Sequence, residues 1–259
     1  MARFHTVCAM ASSQGLDGTP RDGGTVHAFM IALKDMEPTC ATVVSTTLLD
    51  LSRAARSART RWALIGGPAL IVHGVPRHSP DAGALVPLRK LAGLAEELVG
   101  TFGWTPLEYD KNTGRFAKTH APVVHYLDDL ALRDLQEERQ MIPLRSALGL
   151  FVELRAAQHL VEQAVVSGAR SRAHCGFTVP VAPLGGVLLL RIRAGTAQDI
   201  GSVEQAVEHL PRAKLEEAIA WARKHDRAGA DALRAVVEAV WKRRTPIRVA
   251  PTKRRLPLP

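Results

Sequence analysis

Residues 61–86 read RWALIGGPALIVHGVPRHSPDAGALV. The pattern predicts four elements in succession: a strand at 62–65, a Gly66-Gly67 turn, a short helix at 68–73 and a second strand at 82–86. Pro68 suits the first helical position, where its missing N–H is not needed, and Gly74 suits a left-handed helix end. A glycine pair between a strand and a helix N-terminus lets backbone N–H groups approach phosphate oxygens. The stretch therefore predicts a phosphate-binding turn in an α/β sheet.

This stretch resembles the signature of the nucleotidyltransferase superfamily, in particular its toxin-type members, called AbiEii/AbiGii (MenT-like). In that signature a Gly-Gly or Gly-Ser turn is followed by Asp-x-Asp on the next strand, often with an arginine and a serine or threonine before the aspartates. Arg77 and Ser79 precede Asp81 here in the same way. The resemblance implies that Gly66, Gly67, Arg77 and Ser79 bind a nucleotide and that Asp81 holds a metal ion.

The chain departs from the signature at one position, because Asp81-Ala82-Gly83 stands where the family has Asp-x-Asp. Residues i and i+2 of a strand face the same side, so the family pair presents two carboxylates to two metal ions. Gly83 supplies no ligand atom. We therefore expect nucleotide transfer to be weak or absent, and expect Gly83→Asp to restore or raise it.

A strand predicted at 151–154 (FVEL) places Glu153 between apolar neighbours. In the superfamily a third acid on a later strand helps to hold metal or acts as general base on the acceptor hydroxyl. The order of the following sequence implies that Glu153 is this acid, so that Asp81 and Glu153 are the catalytic, metal-binding residues. The alternative is a Glu153 that faces solvent on an edge strand. Asp128 and Asp129 compete less well, since such a pair is more typical of a turn.

A second resemblance to the toxin-type relatives covers residues 183–210, PLGGVLLLRIRAGTAQDIGSVEQAVEHL. The family has an apolar helix, a lysine that points toward the nucleotide phosphates, an Ala-Gly step and then an acid. Arg191 takes the place of the lysine and Asp199 that of the acid, which implies nucleotide-binding roles for both. An arginine keeps the charge and can bind phosphate in a bidentate manner. The alternatives are an Arg191–Asp199 ion pair and an Asp199 that caps the next helix.

The two resemblances together imply Mg²⁺- or Mn²⁺-dependent transfer of a nucleotide from an NTP to an acceptor, which in the toxin-type branch can be a tRNA. One rival hypothesis is a non-catalytic relative, a pseudoenzyme that binds nucleotide or RNA. Another is a scaffold whose helices bind a protein partner such as a cognate antitoxin.

The composition indicates a cytoplasmic protein of ordinary globular type with 259 residues. Its three cysteines are scattered without paired spacing, which favours a reducing compartment over a disulfide scaffold or a zinc site. The longest apolar run is too short to span a bilayer, and the N-terminus lacks the apolar segment of a signal peptide. We therefore expect no membrane association.

The formal net charge is +9, and much of the excess lies at the C-terminus, where every charged residue from Lys242 onward is basic. Prolines make regular structure unfavourable there. Such a tail can bind RNA through phosphate contacts, or can remain solvated without a partner. The predicted domains are a disordered or peripheral extension at 1–40, a nucleotidyltransferase-like α/β core at 41–182, a helical domain at 183–241 and a basic, proline-rich tail at 242–259.

The remaining periodicity completes an α/β (α+β) fold, a mixed sheet with flanking helices followed by a C-terminal helical bundle. Helices are predicted at 42–58, 88–99 with Gly100 as the stop, 157–167, 213–224 and 230–241. Further strands are predicted at 104–108, 115–118 and 123–127, with a hairpin turn at 110–114. Residues 130–144 are predicted to form a surface loop with some helix.

Overall fold

The structure is a computed structural model that describes residues 40–79, 81–110, 115–118, 141–174 and 176–244. The predicted strand at 123–127 and most of the predicted turn at 110–114 lie outside these ranges. Within them the fold class is confirmed, because a mixed sheet with flanking helices precedes a helical bundle. No helix in the described ranges is long and apolar enough to cross a membrane.

The described strands form a sheet in the order β4-β3-β5-β6-β2-β1-β8-β7. The strands are β1 (Ala63–Ile65), β2 (Asp81–Pro87), β3 (Thr105–Asp110), β4 (Arg115–Lys118), β5 (Met141–Arg145), β6 (Phe151–Ala157), β7 (Arg170–His174) and β8 (Phe177–Val181). At the centre β2 runs antiparallel to β1 and parallel to β6. The predicted strands near 62–65, 82–86 and 151–154 are therefore neighbours in one sheet.

The helices are α1 (Cys40–Ser57), α2 (Gly66–Val72), α3 (Leu91–Phe102), α4 (Leu160–Ser167), α5 (Leu184–Ala194), α6 (Ala197–His209), α7 (Arg212–His225) and α8 (Arg227–Arg244). The last four contact one another as a bundle, and α5 also contacts α2 and α4 beside the sheet. One continuous cluster of buried apolar residues runs through the sheet and the bundle. The bundle is thereby packed directly against the strand–helix–strand unit.

Several predicted helix boundaries are wrong. Two helices begin elsewhere, α4 at Leu160 rather than 157 and α8 at Arg227 rather than 230, and two C-terminal ends differ as well. Gly100 does not stop α3, which runs on to Phe102 and ends at Gly103. Gly103 has φ +66°, the left-handed conformation that favours glycine at a helix end, whereas Gly100 is a glycine that the helix simply tolerates. The C-terminal helix α8 runs to Arg244, so the first basic residues after Trp241 are helical.

The sheet also contains three strands that were not predicted from the sequence, β5, β7 and β8. The end of the predicted loop at 130–144 is wrong, because β5 pairs between β3 and β6. Ile142, Pro143 and Leu144 are all buried in β5, and a proline ordinarily argues against an interior strand. The edge strand β7 is largely exposed and shows no alternating apolar pattern, which is the signal on which strand prediction depends.

Candidate functional site

The predicted site residues come together in one cleft of about 270 Å³. It lies where β1 ends and β2 and β6 begin, and α2, α5 and α6 close it. All eight predicted residues line it, namely Gly66, Gly67, Arg77, Ser79, Asp81, Glu153, Arg191 and Asp199. They come from three separate parts of the sequence, which meet because β6 pairs with β2 and α5 packs beside α2.

The glycine turn forms the start of α2. Gly66 has φ +73°, so a side chain there would be strained, whereas Gly67 has no such backbone requirement. Gly67 is instead needed for space, because a Cβ there would overlap the Ser79 hydroxyl. The two glycines thus let the chain turn sharply and let the segment that carries Arg77, Ser79 and Asp81 lie directly against the helix start.

Ser79 connects the turn to the first acid. Its buried hydroxyl donates a hydrogen bond to Asp81 Oδ1 at 2.9 Å and lies 3.1 Å from the Asp81 carbonyl oxygen. The Asp81 side chain is exposed at the first position of β2. Ser79 therefore orients the Asp81 carboxylate and leaves its second oxygen, Oδ2, free of this contact.

Gly83 and Glu153 are cross-strand partners on β2 and β6. Side chains alternate along a strand, so Asp81, Gly83 and Glu153 share one face of the sheet. Gly83 also pairs with Ile65 on its other side, and a Cβ at Gly83 would lie 2.9 Å from Ile65 Cγ1. Any side chain at position 83 would therefore crowd the Ile65 side chain at its first carbon.

Glu153 lies in an interior strand rather than at a sheet edge, and its side chain is half-buried. Burial raises the pKa of Glu153, the nearby Arg155 lowers it, and the negative charges of Asp81 and Asp199 raise it further. These three carboxylates are thus close enough to repel one another, and a bound cation would relieve that repulsion.

Arg77 presents unpaired donors to the cleft. Its Nε and Nη1 are buried and have no hydrogen-bond partner in the described part of the chain. Burial lowers the pKa of Arg77, as does the charge of Arg191, while Asp81 and Asp199 raise it. A buried guanidinium with unpaired N–H groups carries a desolvation cost that an anionic ligand would offset.

Arg191 and Asp199 form the ion pair that was one of the alternatives, with Nη1 2.8 Å from Oδ1. The backbone N–H of Asp199 donates to Thr196 Oγ1, which caps α6, and the Thr196 hydroxyl donates to Asp199 Oδ2 at 2.7 Å. Arg191 Nε remains buried without a partner among the described residues. The pair therefore fixes the Arg191 guanidinium at the cleft while one donor stays unpaired.

Arg155 and Ile65 are two of the lining residues that were not selected from the sequence. Arg155 lies two positions after Glu153 on the same face of β6, so strand alternation alone could have identified it. Ile65 ends β1, and only the register of β1 against β2 reveals that it faces Gly83. Arg155 could therefore be identified from the sequence, whereas the contact of Ile65 with Gly83 could not.

The described residues contain no group of three or more histidine, cysteine, aspartate or glutamate side chains placed to hold a metal ion. Asp81 and Glu153 alone offer two carboxylates. Mg²⁺ commonly uses one or two protein carboxylates and completes its octahedron with waters and substrate phosphates. The residues present therefore fit one ion held jointly with a triphosphate, and they do not fit a metal pair held by protein ligands alone.

Neither a protein-family model nor a curated protein matches the sequence. Among solved structures, the antibiotic-resistance factor ANT(2'')-Ia is similar over 77% of this chain and 92% of its own, at 15% identity and a TM-score of 0.40. An antigenic nucleotidyltransferase-like protein from Paracoccidioides brasiliensis is 18% identical over 74% and 93% of the two chains, with a TM-score of 0.39. Megavirus polyadenylate synthase is 11% identical over 82% of this chain and 45% of its own, with a TM-score of 0.36. Similarity at this level is distant, so the functional argument rests on the cleft itself.

Proposed function

We propose that this chain is a nucleotidyltransferase-like protein whose cleft binds an NTP together with one divalent cation, and whose transfer activity is weak or absent. The observation that carries the proposal is the convergence in one cleft of a glycine turn, two arginines with unpaired buried donors, and two carboxylates on adjacent strands. Cationic donors suit the triphosphate and the carboxylates suit its counter-ion.

Each group has a role in this proposal. Backbone N–H groups at the start of α2 and the guanidinium groups of Arg77 and Arg191 bind the phosphate oxygens. Asp81, oriented by Ser79, and Glu153 hold Mg²⁺ or Mn²⁺, which supplies Lewis-acid stabilisation of phosphoryl charge. The alternative role for Glu153, without the cation as its ligand, is that of general base for an acceptor hydroxyl.

Gly83 is the reason to expect weak transfer. Without a second carboxylate on β2, charge that develops on the transferred phosphoryl group is less well compensated, which ordinarily costs orders of magnitude in rate. The second candidate function is accordingly a pseudoenzyme that binds nucleotide or RNA without transfer. It is favoured by Ile65, whose side chain would crowd a Cβ at position 83.

Membership of the AbiEii/AbiGii (MenT-like) branch, a tRNA acceptor and a cognate antitoxin partner belong to the proposal as well. They rest on the sequence resemblances over 61–86 and 183–210. Arg191 binds and orients phosphate in this proposal. Its guanidinium must then contact both the phosphate and Asp199, with which it forms an ion pair.

The testing experiment combines transfer and binding. Purified protein would be incubated with Mg²⁺ or Mn²⁺, each labelled NTP and total tRNA, and thermal unfolding would be recorded with and without metal and NTP. A ligand at 100 times its Kd stabilises the native state by about 2.7 kcal/mol. We expect this stabilisation in the native protein and its loss in Asp81→Asn, Glu153→Gln and Arg191→Ala.

Matched controls separate the cleft from general charge effects. Arg193→Ala removes an exposed arginine from the same helix as Arg191, and Glu238→Gln neutralises an exposed carboxylate on α8. Both should keep the NTP-dependent stabilisation. Label on tRNA that disappears in Asp81→Asn would establish an active enzyme, and stabilisation without label would establish the pseudoenzyme. Absence of any metal-dependent NTP stabilisation would refute both nucleotide transfer and a nucleotide-binding pseudoenzyme.

A further inference from the structure

A second concavity, here called the basic groove, lies at the other end of the sheet and has a volume of about 800 Å³. Its walls come from the connection between α1 and β1, from the 3-10 turn after β2 and from α4. Pro87 and Ala157, the last residues of β2 and β6, line it, whereas Asp81 at the start of β2 lines the cleft. The seven residues of β2 separate the two sites by about 20 Å at the usual rise of a strand.

The rim of the basic groove carries four exposed cations, Arg59, Arg61, Arg89 and Lys90. No acidic side chain occurs among its described lining residues. None of the four forms an ion pair with a carboxylate in the described ranges. Four unpaired cations around one concavity create a positive field that attracts an anionic partner.

The floor of the basic groove is apolar. Pro87, Leu88, Ala157 and Val166 contribute to it, and Leu88 remains 38% exposed. Leu160, at the start of the helix that forms one wall, is 83% exposed. The described lining residues include no aromatic ring on which a nucleic-acid base could stack. This combination suits a ligand with apolar side chains as well as negative charge.

Arg59 gives an independent indication that the rim is used. Its φ is +48°, and it is the one non-glycine residue with positive φ in the described part of the chain. It follows α1 at the position where a left-handed glycine commonly ends a helix, and the next N–H, that of Thr60, bonds back to the Ala55 carbonyl at 2.9 Å. An arginine here is strained where glycine would not be, yet it places a cation on the groove.

We propose that the basic groove binds an acidic segment of a partner protein that presents apolar side chains on one face. Apolar side chains of the partner cover Leu88 and Val166, and its carboxylates lie against Arg59, Arg61, Arg89 and Lys90. The groove and the cleft share no lining residue, so this inference does not depend on the proposed nucleotide chemistry.

The test uses a defined probe. A fluorescein-labelled amphipathic peptide with leucines at i, i+3, i+4 and i+7 and glutamates beside them would be titrated with the full chain by anisotropy. We expect Arg61→Gln, Arg89→Gln and Lys90→Gln each to weaken binding about two- to fivefold, the range for exposed ion pairs. Leu88→Ser should weaken it about fivefold. Arg56→Gln, which removes an exposed arginine of α1 outside the groove, should leave it unchanged.

Arg59→Gly separates lost binding from lost folding. Because glycine accepts the left-handed conformation without strain, we expect this variant to unfold about 2 °C higher than the native protein. We also expect it to bind the peptide about two- to fivefold more weakly. A variant that is more stable and binds less well cannot owe its defect to unfolding.

Two control ligands decide the class of partner. The first is a peptide with serine in place of each leucine, which keeps the charge but removes the apolar side chains. The second is a labelled single-stranded RNA of equal charge, which tests a nucleic acid as the partner. The native chain should bind both more weakly than the leucine peptide. Equal binding of the serine peptide, tighter binding of the RNA through the same four cations, or binding of the leucine peptide that no groove substitution weakens would each overturn the proposal.

Discussion

At Gly83 the backbone would accept a side chain, because its φ lies outside the left-handed region, but the neighbouring space is taken. Ile65 Cγ1 lies 2.9 Å and Cδ1 3.4 Å from the position of an added Cβ. Ile65 is itself buried at the end of β1, so its side chain has little freedom to move aside. Restoring a second acid on β2 therefore requires a change at position 65 as well as at position 83.

In contrast to the expectation from the sequence, we predict that Gly83→Asp alone gives little transfer. It should also lower the free energy of unfolding by about 2 kcal/mol, because it overpacks the contact with Ile65. Ile65→Ala alone should cost about 2 kcal/mol through the cavity that it leaves. The double variant should lose less unfolding free energy than the two single variants together, and the difference should be about 1 kcal/mol or more. Urea unfolding would measure this, and titration with Mn²⁺ should show tighter binding in the double variant only.

The matched control for this cycle is Leu64→Ala combined with Gly83→Asp. Leu64 is fully buried and pairs with Ala84, so its side chain lies on the other face of the sheet. The loss of unfolding free energy in Leu64→Ala should simply add to the loss in Gly83→Asp. If the losses of unfolding free energy in Gly83→Asp and Ile65→Ala were also additive, Ile65 would not crowd a side chain at position 83.

At the scale of elements, two helical glycines illustrate different reasons for the residue. Gly67 near the start of α2 lies against Ser79, and a Cβ there would approach the Ser79 Cβ to 2.6 Å. Gly100 in α3 has open space around the corresponding position, with nothing within 4 Å. One glycine allows the Asp81 segment to reach the helix, whereas the other only weakens its helix.

Gly67→Ala should lower the free energy of unfolding by about 2 kcal/mol and weaken NTP binding, because it displaces Ser79 and with it the Asp81 carboxylate. Ser79→Gly in the same chain should recover stability, since it removes the atoms that clash. Gly100→Ala should instead stabilise the protein by about 0.5–1 kcal/mol and leave NTP binding unaltered. Thermal unfolding and nucleotide titration would measure both effects. A Gly67→Ala variant that behaves like Gly100→Ala would contradict the proposed contact.

At the scale of the whole molecule, His73 connects the sheet unit to the bundle. Its buried Nε2–H donates to the Ala182 carbonyl oxygen at 2.8 Å, and Lys214 of α7 donates to the His73 carbonyl oxygen at 2.6 Å. Burial lowers the pKa of His73; the bond to Ala182 raises it, while the charges of Lys214 and Arg172 lower it further. The folded protein thus holds this histidine neutral.

This shift predicts a pH dependence of stability. A histidine whose pKa is lower in the folded state binds its proton more readily when the chain unfolds. Stability is therefore complete above the ordinary histidine pKa of about 6.5, and it is lost as the pH falls from there toward the lowered value. His73→Gln keeps a donor for the Ala182 carbonyl but cannot take up this proton. The slope of unfolding free energy against pH reports the number of protons bound on unfolding, and in this window that number should fall by up to one. Urea unfolding at several pH values would show this, and an unchanged slope would exclude His73 as its source.

The order of the central elements and eight of the residues that line the cleft could be predicted from the sequence. Glycine and proline positions, strand alternation and the two motif resemblances are local signals. Such signals can be recognised in a sequence without knowledge of the fold. They also gave Arg191 and Asp199 as a possible ion pair, which the structure contains. What they could not give was β5, whose proline breaks the expected pattern, or β7, whose pairing with β8 is a matter of tertiary structure.

Only the tertiary structure decided the rest. The contact between Ile65 and Gly83 depends on the register of β1 against β2, and that register is fixed by packing rather than by either segment alone. The basic groove gathers Arg59, Arg89 and Val166 from three separate segments, none of which is unusual in sequence. Sequence predicts well what a residue does to its own backbone. Which side chains from distant segments meet is determined when the chain packs its apolar surface into one core.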